Sequence, residues 1–239
     1  MNISGNSTVS VEAAGSTQLK LKHPLAFKRK LAIYTGILAL LLAIFTGMSL
    51  GIVNLTWQEV QDGLLGISQS DNYRVVHLIR MPRVICGALA GGFQGASWTH
   101  VSMILPYTML GLAAAFFASR WLNALQFGED TARSIGIRVE RIRLLLLILA
   151  AMLAASAVSV AGMLGFVGLV VPHMVRLVTG SDFDYLLPCS ALWGAAFVSL
   201  TDVAARMAFA PLEIPVGVFM SFLGAPFFLY LLKKGAKGI

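Results

Sequence analysis

The run LLLLILAAMLAASAVSVAGMLGFVGLVVPHMV, Leu144 to Val175, holds 32 residues without Asp, Glu, Lys or Arg and decides how the chain is threaded. One helix crosses about 30 Å of hydrocarbon with about 20 residues. The run is therefore long for one span and short for two. Its natural break is Ala161-Gly-Met-Leu-Gly165, and charge parity favours using it. With a single crossing, Lys233, Lys234 and Lys237 would finish on the side opposite the basic N-terminal segment. With two crossings, one side collects 14 of the 18 Lys and Arg residues: five before Leu31, five between Arg120 and Arg143, Arg176, and the three at the end. Only Arg74, Arg80, Arg83 and Arg206 are left on the other. By the positive-inside rule the crowded side is cytoplasmic. This predicts six transmembrane helices with both termini cytoplasmic, near 31–53, 101–119, 144–161, 163–178, 185–206 and 214–232.

Composition agrees with the class. Of 239 residues 57% are hydrophobic and 12% charged, against about 25% charged in soluble domains. The net charge of +7 does not indicate nucleic acid, because the basic residues flank apolar runs as topology signals. Residues 1–30 read as a cytoplasmic tail ending in Lys28-Arg29-Lys30. The uncharged stretch behind it is too long for a signal h-region and is expected to stay as an anchor. The Gly-rich 87–95 segment and Ser97-Trp-Thr-His100 suit an external interfacial stretch. Cys86 and Cys189 lie far apart in apolar surroundings and read as small hydrophobes, with no disulfide or metal implied.

No catalytic or metal-binding constellation is visible. The histidines 23, 77, 100 and 173 are scattered, and no Gly-rich loop ends in Gly-Lys-Ser/Thr. An enzyme is not expected, nor a cofactor in this chain. What stands out is a polar island from Arg120 to Arg143. Gly128 and Gly136 bracket Glu129-Asp130-Thr-Ala132-Arg133-Ser-Ile, acidic at the first turn and closed by glycine, as a short capped helix is. The spacing alone leaves a solvated loop equally open. Asp202 and Arg206 stand i, i+4 near the external end of a span and read as an internal ion pair or a pathway element. Pro172-His173 reads as a helix end, and Leu212-Glu-Ile-Pro215-Val-Gly217 as a break before the last span.

These segments carry a resemblance. Gly128-Glu-Asp-Thr-Ala-Arg-Ser-Ile-Gly136, then Gly165-Phe-Val-Gly-Leu-Val-Val-Pro172-His173-Met-Val-Arg176, Asp202-Val-Ala-Ala-Arg206, Leu212-Glu-Ile-Pro215-Val-Gly217 and Leu223-Gly-Ala-Pro226 occur in the order seen in permeases of ABC importers for iron-siderophores, haem and cobalamin. The resemblance spans most of 101–234 and is visible again in Arg80-Met-Pro-Arg83. It implies an all-α membrane permease in a bacterial plasma membrane, formed with a second permease subunit as a homodimer or heterodimer. It implies a cytoplasmic ABC ATPase that binds ATP and Mg, and an extracytoplasmic substrate-binding protein. Gly128, Glu129, Asp130, Ala132, Arg133 and Gly136 would then couple to the ATPase. Arg80 and Arg83 would receive the binding protein, and Pro172, His173, Asp202, Arg206, Pro215 and Gly217 become pathway or gate candidates.

The chain departs from that family in length. Arg80-Met-Pro-Arg-Val-Ile-Cys-Gly-Ala-Leu-Ala90 resembles the start of the second family span, and Gly91-Gly-Phe-Gln-Gly95-Ala-Ser-Trp98 the external segment before the sixth. About four spans between them have no counterpart. An even number leaves the downstream orientation unchanged, in agreement with the charge parity. Two further readings stand beside the importer: a shortened, transport-defective or regulatory protein that still binds the ATPase or binding protein, and a secondary transporter. The last needs buried ionisable residues at mid-span, which these spans nearly lack.

Overall fold

The computed structural model describes residues 8–50, 58, 60–61, 75–90, 97–161, 165–208 and 216–235, and for 8–25 the backbone alone. The described regular structure is helical, as the apolar runs predict. Helix α1 (Thr8–Ser49) takes in both the basic segment and the first apolar run, so the tail and the first span share one helix. A π-helical turn (Val75–Arg80) runs directly into α2 (Met81–Ala90). Pro82 carries no N–H for the α-pattern bond to the Leu78 carbonyl, and the backbone winds wide just before it. There follow α3 (Trp98–Gln126), α4 (Glu129–Ser134), α5 (Val139–Ala161), α6 (Val167–Thr179), α7 (Phe183–Ala208) and α8 (Val216–Gly235).

Helix α7 is the axis of the bundle and packs against α1, α2, α3, α6 and α8. Ala32 of α1, Val171 and Val175 of α6, and Leu186 and Cys189 of α7 form one buried cluster; Val198 joins Val216 and Met220 of α8 in another. Both cysteines are free and buried in such clusters. By contrast Leu144, Leu145, Leu147 and Ile148 of α5 are exposed, an apolar surface suited to lipid or to another apolar helix rather than to water. Lipid tails are as apolar as leucine, so the helices are held by close packing at small residues instead of by the hydrophobic effect. Gly47 abuts Val84, Gly111 abuts Leu153, and Gly224 abuts Phe166.

Four helices are long and apolar enough to cross a membrane: Ala26–Ser49 within α1, α3, Val139–Ser159 within α5, and α7. Helix α6 differs from the span expected over 163–178. Its 13 residues reach about 20 Å, short of the 30 Å of hydrocarbon. Phe166, immediately before it, lies against Gly224 and Phe228, so α6 begins level with the middle of α8. The chain does separate into two helices between Ala161 and Val167, as the glycine break suggested; residues 162–164 lie outside the described residues.

Candidate functional site

The polar island folds as a knob at one end of the bundle. Helix α3 stops at Gln126, and Gly128 turns the chain at φ 104°, a conformation that L side chains rarely adopt. Glu129 and Asp130 occupy the first turn of α4, where the helix dipole favours acidic groups. Ala132, on the inner face of α4, is fully buried, and Gly136 at φ 85° ends the turn, its N–H donating to the Arg133 carbonyl at 3.0 Å. The island's charges pair with one another across the α4–α5 junction. Arg133 lies 3.7 Å from Glu129 and 2.9 Å from Glu140, and Arg143 pairs with Glu129. Each exposed pair contributes about 0.2–1 kcal/mol, but together they hold the knob in one orientation. Two large apolar side chains remain on its surface, Phe127 at 76% exposure and Ile135 at 65%.

A second cluster, which the sequence reading missed, ties the knob's base to the rest of the bundle. The turn between α6 and α7 inserts Asp182 between α1 and α3. Its carboxylate lies 3.1 Å from Arg29 of α1 and accepts from the Asn123 amide of α3 at 3.0 Å and from the Asp184 N–H at 3.1 Å. Asn123 in turn accepts from the Phe183 N–H at 2.8 Å, and Gln126 donates to the Ser181 carbonyl at 2.6 Å. Ser119 donates to Asp184. Arg29 also donates to the Thr179 carbonyl at 3.1 Å and stacks 4.7 Å from the centre of the Tyr185 ring. Helices α1, α3, α6 and α7 thus meet in one polar latch. Its only local signal is an Asp at the start of an apolar helix.

At the opposite end the arginines are turned inward. Arg80 and Arg83 were expected to face outward, yet both are buried. Arg83 Nε lies 3.5 Å from the Asp202 carboxylate, and Arg206 reaches the same oxygen at 3.0 Å. Arg80 donates to the Met48 and Ser49 carbonyls and so closes the C-terminus of α1. The reason is electrostatic for Arg83: a carboxylate on a central helix is costly to leave alone in low dielectric, and Arg83 of α2 joins Arg206 of α7 in neutralising it. The expected Asp202–Arg206 pair is present, enlarged to a triad by Arg83.

The remaining candidates do not converge. Pro172 and His173 lie within α6, His173 on an exposed face, away from Asp202 and Arg206. Gly217 lies half-buried in the first turn of α8, and Pro215 is outside the described residues. Among the described residues no group of His, Cys, Asp and Glu could hold a metal ion.

The chain is similar to known membrane permeases. The iron(3+)-hydroxamate import system permease protein FhuB of Bacillus subtilis (strain 168) is 38% identical over 150 residues, 63% of this chain and 39% of that protein. The Fe(3+)-citrate import system permease protein YfmD of the same organism is 40% identical over 147 residues, 62% and 44% of the two chains. The cobalamin import system permease protein BtuC of Halobacterium salinarum is 46% identical over 145 residues, 61% and 39%. The chain thus spans about two fifths of the length of the relatives it matches. A metal-chelate type ABC transporter solved in an inward-facing conformation shares the fold, with a TM-score of 0.70 and 18% identity over 84% of this chain and 98% of that one. The model of the FecCD transport family matches residues 85–234, and the chain is a multi-pass membrane protein that belongs to that family.

Proposed function

We propose that this chain is a transmembrane permease subunit of an ATP-driven importer for iron-siderophore substrates or the related haem or cobalamin classes, residues 31–239 forming one transmembrane unit in a bacterial plasma membrane. The observation that carries the reading is the α4 knob. Its charges pair across the α4–α5 junction, it presents Phe127 and Ile135 outward, and its base is latched to three other helices. A separate cytoplasmic ATPase, holding ATP and Mg, docks on this knob through Gly128–Gly136 and pushes it. This chain contributes no cofactor. The latch at Asn123 and Asp182 passes the displacement from α3 to α1 and α7, and a second permease subunit completes the pathway. Arg80, Arg83, Asp202 and Arg206 shape the opposite end, which meets a substrate-binding protein, while Pro172, His173, Pro215 and Gly217 lie along the helices that move.

The test is co-purification with a co-expressed ABC ATPase of an importer of this family. The E129A/R133A and I135D variants should lose the ATPase while inserting normally into membranes; retention of the ATPase by both sinks the docking role. A second reading has one observation in its favour, the chain's two-fifths coverage of its relatives. In that reading the protein binds the ATPase but does not transport. ATP-dependent uptake with ATPase and binding protein co-expressed separates the two.

A further inference from the structure

The geometry points to a binding site for an anionic phospholipid between α1 and α6. A cavity of about 390 Å³ runs along the outside of the bundle there, lined by Leu31 and Thr35 of α1, Val171 and Met174 of α6, and closed at its far end by Trp193 and Phe197 of α7. Its length, read along α6 from Val178 to Val170, is about 12 Å. That is most of the roughly 15 Å depth of one leaflet's hydrocarbon. The polar atoms in its wall are already used: the Thr35 hydroxyl donates to the Leu31 carbonyl at 2.8 Å, and the Trp193 indole donates to the Ala32 carbonyl at 3.2 Å. An occupant therefore meets an apolar trough with no hydrogen-bonding demand, which suits an acyl chain.

The mouth is different. Among the described residues Lys28 is the one charged residue in the lining, and it lies at the knob end, at the level where the apolar run of α1 begins. Among the described residues no carboxylate pairs with it, whereas its neighbour Arg29 is committed to Asp182 and the Thr179 carbonyl. That commitment also pins α1 to the α6–α7 turn. An unpaired ammonium above an apolar trough of leaflet depth is complementary to a phosphate headgroup bearing a net negative charge, with its acyl chain lying below. Anionic headgroups are favoured over zwitterionic ones, in which the phosphate charge is already balanced. A second protein helix would need an acidic residue at this depth to satisfy Lys28.

The site can be read with Trp193 as reporter. The full chain carrying W57F/W98F/W121F is reconstituted in nanodiscs containing phosphatidylglycerol or phosphatidylcholine brominated on the acyl chain. Brominated phosphatidylglycerol should quench Trp193 with about fivefold preference, the factor expected from one basic residue near the surface. K28Q, an exposed position whose change does not threaten folding, should abolish the preference, and K28R should retain it. T35F, which fills the trough, should reduce quenching by both lipids. Equal quenching by the two headgroups overturns the proposal, as does a preference that survives K28Q. Absence of quenching by either lipid, the result if a second copy of the chain covers the trough, also overturns it. None of these readouts depends on transport or on the ATPase.

Discussion

At the scale of single residues, two aspartates organise the two ends of the molecule. Asp202 was legible because its partner Arg206 follows one turn later on the same helix face. Asp182 was not, because it meets Asn123 across 59 residues of sequence, and nothing local announces that pairing. Their replacements should behave differently. Asp182→Ala removes an acceptor from Arg29, Asn123 and the Asp184 N–H and should cost about 1–3 kcal/mol, read as a lower thermal midpoint in detergent. Asp182→Asn keeps part of the hydrogen bonding and should cost less. Asp202→Leu leaves Arg83 and Arg206 buried without their carboxylate, and should cost about 3–5 kcal/mol and most of the folded yield. Adding Arg83→Met to Asp202→Leu should recover part of that loss, since one cation, Arg206, is then left without the carboxylate instead of two.

At the scale of elements, α4 was readable because its signals are local: acidic residues at the start, glycines with positive φ at both sides, and a length of about two turns. Helix α6 was not fully readable. Hydropathy reports that 163–178 is apolar but for Arg176, and it does not report where along its neighbours the helix begins. That level is decided by Phe166, which takes up φ 65° at a cost of about 1–2 kcal/mol and packs into the space left by Gly224. A Cβ on Gly224 would lie 2.3 Å from the Cβ of Phe166. Gly224→Ala should therefore destabilise the α6–α8 contact by about 1–3 kcal/mol. A double-mutant cycle with Phe166→Ala should show that the two changes are not additive, and independent effects would remove this contact as the reason for the short helix.

At the scale of the whole molecule, the helix directions implied by the latch and the triad are mutually consistent. Arg29, Asn123, Asp182 and the knob share one end; Arg80, Arg83, Asp202 and Arg206 share the other. With Cys86 and Cys189 replaced by Ala, a cysteine at Ser134 should react with an impermeant maleimide only from the cytoplasmic side, and one at Ser97 only from outside. Labelling of both from the same side would refute the threading argued from charge parity. The sequence by itself determined the membrane class, the apolar runs that become helices, the polar island, and the motif order that marks the family. Each of these is written in periodicity, composition or neighbours within a few residues. Only the tertiary structure decided that Arg80 and Arg83 turn inward, that Asp182 joins α1 to α3, and that α6 starts level with the middle of α8. Those outcomes depend on which helices become neighbours. Buried charges and bulky side chains must then find partners among whatever residues that packing brings near.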